Sequence, residues 1–328
     1  MAGVTDVPFR QVAWSCGVGY QVGEMVSDNP RLWNSKKSRL RRMPLYGCGP
    51  QVIQIAGSEP EQVAQAAELQ WQTGADVLDI NFGCPAKKVC RKAAGSALLV
   101  NPALVQEIAA AVVAAVPIPV TAKIRTGPAP GEQNAVLIGQ LLQDAGVQAL
   151  AVHGRTRACK FAGTAELDTV AAVKQKLSIP VFANGDITSP QAAVEAMAYT
   201  GVDGVMIGRG ALGAPWVLGQ MAAAIQGASS NSLAPSFAEI LQLMLGHLQH
   251  LHDFYGPEQG VRFARKHVSW YLEGLDLHPI KSVFNRIACP SAQVDALALL
   301  QALGAQHELG NLAEAFALAF SPSDRAVA

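Results

Sequence analysis

The sequence predicts an α/β protein, a (β/α)8 barrel with an apparently truncated first strand, followed by a small C-terminal all-helical domain. Three observations carry this expectation. Short apolar runs alternate with helix-period segments up to about residue 225. The repeat length of ~25–35 residues suits one strand and one helix per unit. Beyond the Ser/Ala/Gly/Pro stretch "QGASSNSLAPS" the pattern is helical only.

The strand candidates are residues 20–23, 51–56, 77–81, 119–125, 149–153, 180–184 and 204–207. Between them lie Ala- and Leu-rich segments with apolar residues at i, i+3, i+4 and i+7. Several of these open on "GSEP", "VNP" or "ITSP", the chemistry of an N-cap followed by proline in the first turn. Strands separated by helices imply right-handed βαβ units and a parallel sheet. An eighth strand would close the barrel, but only residues 1–4 precede the first helix, which begins near Asp6 or Pro8. The expected organisation is therefore a barrel over 1–225, a linker over 226–236, a helical domain over 237–320 and a disordered tail over 321–328.

Half of the 328 residues are hydrophobic and 15% are charged, so a large core is possible. No apolar run approaches the ~20 residues that span a bilayer. The start "MAGVTDVPFR" lacks the pattern of a secretory signal. Six cysteines without a CxxC pair argue against a zinc site and against a disulfide framework. A reducing, cytoplasmic setting without metal or membrane is expected. The formal net charge is zero, but the cations are clustered. Residues 29–48 hold six Lys or Arg and no acid, a second cationic run follows Cys84, and a third is "VRFARKH". Three such segments suggest basic patches that meet phosphate.

In a parallel barrel the reactive side chains come from the C-terminal ends of strands. Those ends read Gln54, Asn81 with Cys84, Lys123 with Arg125, His153 with Arg155, Asn184–Gly185–Asp186, and Gly208–Arg209. The last two carry glycine turns that let backbone N–H groups approach an anion, with Arg209 adding charge. Lys123 sits among apolar residues and needs a partner. A planar ring with an anionic edge, such as reduced flavin, would serve, and the Gln54 amide matches a uracil-like edge. Cys84 lies on a Gly-Cys-Pro turn at the end of a strand, close to Lys87, Lys88, Arg91 and Lys92. A thiol with an ordinary pKa of ~8.5 is a proton donor at neutral pH, whereas nearby cations favour a nucleophilic thiolate. An incoming polyanion would engage those cations and leave Cys84 to give up its proton.

The segments "MAGVTD", "VIQIAGSEP", "DINFGCPAKKVCRKAAGSALL", "VTAKIRTG", "VHGRTRA", "IPVFANGDI", "DGVMIGRGALGAPW" and "LHDFYGPEQGVRFARKHVSWYL" together resemble the tRNA-dihydrouridine synthases of the bacterial B type. The resemblance covers nearly the whole chain. It implies an FMN-containing barrel with a helical tRNA-binding domain. Such an enzyme reduces the C5–C6 bond of uridines in the tRNA D-loop, with NADPH as reductant. It makes Cys84 the acid that protonates C5, and puts FMN against Gln54, Lys123, His153, Asn184, Gly185, Asp186, Gly208 and Arg209, with Met1 and Ala2 beside them. Asn81 and Arg155 would line the uridine pocket, and Lys87, Lys88 and Arg91 would meet the RNA. Arg262, Lys266 and Trp270, spaced i, i+4, i+8 on one helix, would form an RNA-facing stripe of a protein expected to act as a monomer.

The chain departs from the family pattern at four places. It begins at the Met of the usual Ala-Pro-Met-Ala-Gly, so poor flavin retention or low stability is expected unless the chain is extended upstream. Phe82 replaces a usual Met, Cys90 a usual Asn and Pro128 a common Trp. The alternative function is an FMN barrel dehydrogenase acting on a free pyrimidine, which would have no use for a basic helical appendage.

Overall fold

The structure, a computed structural model, describes residues 1–91, 93–229, 234–306 and 309–320, without the side chains of Lys88, Leu309 and Gly310. Lys92, part of the 226–236 linker and the whole 321–328 tail lie outside the described residues. The elements run α1 (Val7–Ser15), β1 (Val26–Ser27), α2 (Pro30–Trp33), α3 (Lys36–Arg42), β2 (Val52–Ala56), α4 (Pro60–Gln72), β3 (Val77–Asn81) and α5 (Lys87–Cys90). Next come α6 (Pro102–Ala115), β4 (Val120–Arg125), α7 (Ala135–Asp144), β5 (Ala149–His153), α8 (Asp168–Lys176), β6 (Val181–Asn184), α9 (Pro190–Thr200), β7 (Gly204–Met206) and α10 (Val217–Ile225). Five helices complete the chain: α11 (Phe237–Tyr255), α12 (Pro257–Gly274), α13 (His278–Phe284), α14 (Pro290–Gly304) and α15 (Leu309–Ala319).

The strands form one parallel sheet in sequential order, β1 to β7, which with the helices between them makes the α/β barrel architecture. A parallel sheet is covered on both faces, and β2 is accordingly buried along its full length. Val63, Ile108, Ile138, Val170 and Ala193 of the surrounding helices are completely buried against the strand residues Leu78, Ile124 and Val152. Caps stop the helices where the sequence places them. Asp6, Asn29, Asn101 and Ser189 each accept a backbone N–H at the start of a helix that opens with proline, a contribution of about 1 kcal/mol apiece.

Two details differ from the sequence expectation. The strand expected at 20–23 is reduced to a single bridge from Val22 to Val52, and the named strand resumes at Val26–Ser27 opposite Ile55–Ala56. Four residues on this edge thus run opposite three on β2, a bulge of the kind common at sheet edges. Pairing between β7 and β1 is absent among the described residues. The N-terminal turn lies in that interval instead. Met1 accepts the N–H groups of Val4 and Thr5, the Gly3 N–H donates to Glu24 just before β1, and Met1 Sδ lies against Gly208 just after β7.

Helices α11 to α15 pack around their own core of Leu248, Val268, Leu272, Phe284, Leu300 and Phe316. They meet the barrel along a charged seam: Tyr255 donates to Asp6 Oδ2 at 2.9 Å, and Lys266 donates to the Gly3 carbonyl. Leu40 of α3 also packs against the helical core, which brings the first basic segment to the helical side of the molecule.

Candidate active site

The polar strand ends are joined in a hydrogen-bonded chain. Asn81 Oδ1 accepts the backbone N–H groups of Gly83 at 3.1 Å and Cys84 at 2.9 Å, so its amide can face only one way. Its Nδ2 donates to Gln54 Oε1 at 2.8 Å, and Gln54 Nε2 donates to Asp79 Oδ2 at 2.7 Å. Thr121 completes the run by donating to Asp79 Oδ1 at 2.7 Å. The direction of the Cys84 turn is therefore set by a carboxylate on the same strand, two residues before Asn81. Asp79 is 2% exposed, and burial raises its pKa, against the hydrogen bonds from Gln54 and Thr121 and the charge of Lys123.

The turn is gripped from the other side as well. Arg125 Nε donates to the Gly83 carbonyl at 2.8 Å, and the Cys84 carbonyl accepts from Ser96 Oγ at 2.9 Å and Ser96 N at 3.1 Å. Gly95 has a φ of +64°, and a Cβ there would stand 2.8 Å from the Cys84 carbonyl oxygen, so only glycine fits. Cys84 is a half-buried free thiol. Cys90 directs its own thiol to the same carbonyl at 3.5 Å.

Lys123 pairs in register with Asn81 and its carbonyl accepts the Phe82 N–H at 2.9 Å, while its ammonium has no hydrogen-bond partner among the described residues. Burial, reinforced by the charge of Arg125, lowers its ammonium to about 7. His153 Nδ1 lies 2.9 Å from Asn184 Oδ1, and Asn184 Nδ2 donates to the Met206 carbonyl at 2.7 Å. That second bond fixes the Asn184 amide, so His153 Nδ1 must carry the proton and Nε2 is left as a bare acceptor. Nε2 is buried without a partner. Burial and the charges of Lys123 and Arg125 hold the imidazole pKa down at about 3, so the ring is neutral. An unpartnered ammonium and an unpartnered acceptor in one mouth are what a group with an anionic edge and hydroxyl donors, such as FMN, would satisfy.

Arg155, expected to line the uridine pocket, is engaged by the chain's own groups. It is 5% exposed and makes four hydrogen bonds, two to the Asp186 carboxylate at 2.9 and 2.6 Å and two to the Ala162 and Gly163 carbonyls. It holds the loop after β5. Asp186, at φ +53°, is correspondingly engaged as its partner, and the Arg155 bonds keep its carboxyl below the ordinary value. Gly185, at φ +125°, leaves no room for a Cβ against Ala165 and His153. Arg209, 55% exposed beyond Gly208, stands 3.9 Å from Asp186 and keeps its guanidinium open to solvent. Met1 borders Gly208, and Ala2 is exposed next to it.

The basic segments resolve into used and free cations. Arg41 donates to the Met25 carbonyl and pairs with Glu24, and Arg42 donates to the Trp33 carbonyl. Arg31, Lys36, Lys37 and Arg39 are exposed, as are Lys87 and Arg91. The side chain of Lys88 lies outside the described residues. The expected stripe on α12 divides. Arg262 is exposed, but Lys266 reaches the Gly3 carbonyl and stacks over Phe263 and Trp270, while the Trp270 carbonyl packs against Gly213. Lys266 and the Trp270 backbone thus border the barrel, while Arg262 stands in solvent.

Known proteins with this pattern agree among themselves. The dihydrouridine synthase family model matches residues 1–306. The tRNA-dihydrouridine synthase B of Escherichia coli K12 is 51% identical over 300 residues, covering 90% of this chain and 92% of that protein. The namesakes from Yersinia pestis and Pasteurella multocida are 49% and 48% identical, each over 90% of this chain and over 92% and 90% of their own lengths. The chain belongs to the dihydrouridine synthase family. It is therefore an oxidoreductase of that family. Among the described residues no helix is long and apolar enough to cross a membrane, and no group of three or more His, Cys, Asp or Glu is placed to hold a metal ion.

Sequence reasoning passed over Asp79, Thr121 and Ser96, which orient the dihydrouridine synthase thiol turn. Asp79 carried a signal, since a carboxylate inside the apolar run "DVLDIN" must find partners when buried. Thr121 and Ser96 carried none.

Proposed function

We propose that this chain reduces uridines in the tRNA D-loop to 5,6-dihydrouridine, with FMN as cofactor and NADPH as reductant, and that Cys84 protonates C5. The observation that carries the reading is the Cys84 turn, locked by Asn81 on one side and Arg125 on the other, beside an ammonium and an imidazole nitrogen that lack partners. High identity to proteins named tRNA-dihydrouridine synthase B along 90% of the chain supports it.

Lys123, His153 Nε2, Gly208 and Arg209 would hold the cofactor, with Gln54 presenting the second N–H of its amide. Bound FMN would supply the hydride that reaches C6 of the uracil ring. The residues of the chain then manage the proton. Cys84 sits on a rigid turn, so its thiol meets the C5 face without searching rotamers of a mobile loop. Losing the proton to C5 leaves a thiolate near the Arg125 guanidinium, which burial and the neighbouring Arg155 charge bring down to about 10, still charged at neutral pH. Water restores the thiol before the next turnover. Asn81, with its Nδ2 on Gln54 and Oδ1 on two backbone N–H groups, orients the turn rather than the base. The exposed cations of α2 and α3 and Arg262 would meet RNA phosphates, a role that a free pyrimidine would leave empty.

The test is absorbance from 300 to 550 nm on the purified protein, followed by NADPH-dependent dihydrouridine formation in tRNA lacking the modification. A flavin spectrum and dihydrouridine are expected. A folded, colourless protein would overturn the cofactor assignment, and reduction of free uracil in preference to tRNA would overturn the substrate.

A further inference from the structure

The loop between β5 and α8 carries an aromatic ring with no part in the proton transfer. Phe161 is 55% exposed, yet the chain on both sides of it is clamped. Lys160, held at φ +52°, presents its carbonyl to Arg125 Nη1 at 2.7 Å. The Ala162 and Gly163 carbonyls accept from Arg155 at 3.1 and 2.6 Å. Both guanidiniums are almost wholly buried, at 3% and 5% exposure. The N–H groups of Arg157 and Ala158 donate to the Gly127 and Pro128 carbonyls, which ties the loop to the segment after β4. Left-handed backbone at a non-glycine residue persists only where the surroundings enforce it. Here they enforce the display of a phenyl ring in water.

The surroundings of the ring point to its ligand. Arg125 Cζ lies 5.5 Å from the ring centroid while its Nε bonds the Gly83 carbonyl beside Cys84. Arg209 Cζ lies 4.8 Å from the same centroid. One buried arginine thus spans the thiol turn and the ring, and a second, exposed arginine makes a cation–π contact with the ring. A flat apolar ring at an exposed position is a surface on which a nucleobase stacks. A base brought to Cys84 leaves the RNA stack, and its chain neighbour loses a stacking partner at the rim of the barrel.

We propose that Phe161 is a stacking platform for the nucleobase adjacent to the one being reduced, so that it positions the RNA and takes no part in the chemistry. The inference rests on the tRNA reading above. The experiment compares the flavin-loaded parent protein with Phe161→Trp, Phe161→Leu and Phe161→Ala. Loss of one stacked base weakens binding by about tenfold. KM for tRNA should therefore rise by that order in Phe161→Leu and Phe161→Ala and stay near the parent value in Phe161→Trp. The kcat at saturating tRNA and the reduction of flavin by NADPH without RNA should remain unchanged in all three. The emission added by Phe161→Trp, taken by difference from the parent, should be quenched when tRNA is added. Phe161→Leu keeps an apolar side chain at an exposed position, so the comparison does not depend on the alanine variant folding.

Equal KM values for Phe161→Leu and Phe161→Trp, or an unquenched difference emission, would overturn the platform. So would a fall in kcat or in flavin reduction without a change in KM, since that is the mark of a loop held for structural reasons. A parent protein that carries flavin but forms no dihydrouridine in tRNA would overturn the function itself, a result distinct from any difference among the variants.

Discussion

At the barrel mouth Arg125 and Arg155 are 3% and 5% exposed and bind the chain's own carbonyls and one carboxylate, whereas around α3 Arg31, Lys36, Lys37 and Arg39 stand in solvent without an ion-pair partner among the described residues. The first pair acts as struts. A guanidinium can join several carbonyls in fixed directions, and once buried it cannot leave them without exposing unsatisfied polar groups. The second set is held by nothing, so its charge is available to a polyanion and screened by salt. Positive charge in this molecule therefore has two uses, and burial separates them.

The comparison also locates Cys84, on a turn that one of the struts, Arg125, holds. Replacing it should have the largest effect. Cys84→Ala is expected to reduce dihydrouridine formation by about 10²- to 10⁴-fold, measured by single-turnover assay, while flavin absorbance and thermal stability stay at parent values. A small loss would mean that another group or water delivers the proton.

Removing a strut should appear as lost stability. Arg155→Ala removes its bonds to the exposed Ala162 and Gly163 carbonyls and to the partly exposed Asp186, a cost of about 1–3 kcal/mol in denaturant titration. The acid limb sharpens the assignment. Asp186 titrates below its ordinary 3.8 in the folded protein, so its contribution is complete above that pH and disappears as pH falls through the depressed value. Arg155→Ala should flatten the part of the stability curve on the acid side of pH 3.8.

Asp6, 3% exposed at the seam between α1 and α11, titrates in the opposite sense. Burial raises its pKa from 3.8 to about 6, so the folded state gains relative stability below 3.8 and loses it as pH rises through about 6. The span corresponds to roughly 3 kcal/mol. Asp6→Asn keeps an N-cap on α1 and should remove most of this pH dependence, as read from unfolding free energies at pH 4 and pH 7.

The smallest effects separate Lys266 from Arg262, four residues apart on α12. Lys266→Ala should lower stability by about 1–2 kcal/mol, through the loss of a bond to the Gly3 carbonyl, and leave the salt dependence of tRNA binding alone. Arg262→Ala should leave stability unchanged, weaken tRNA binding severalfold and reduce the salt slope by about one unit or less. If the two variants behave alike, the division of cations by burial fails.

Much of this architecture was legible beforehand because it depends on local pattern. Apolar runs of strand length, Pro-opened helices with Asp, Asn or Ser caps, and polar residues at strand ends are written in neighbouring positions. The edge strand was misjudged because a one-residue bulge between Val22 and Val26 is decided by its partner β2. The stripe on α12 was only partly legible for a related reason. Periodicity shows that Arg262, Lys266 and Trp270 share a helix face, but not that Gly3 and Gly213 of the barrel cover part of it. Phe161 gave no signal at all, since its exposure follows from two arginines that are distant in sequence or buried beneath it.

By itself the sequence determined the order of strands and helices, the residue types at the strand ends and the presence of a thiol on a Gly-Cys-Pro turn, all consequences of short-range periodicity and backbone chemistry. Only the tertiary structure decided which cations are struts and which are free. It also decided which way the Asn81 and Asn184 amides face, and that His153 keeps a bare Nε2. Those outcomes depend on hydrogen-bond partners brought together from separate strands, and in a buried site the partner, not the residue type, sets what a polar group can do.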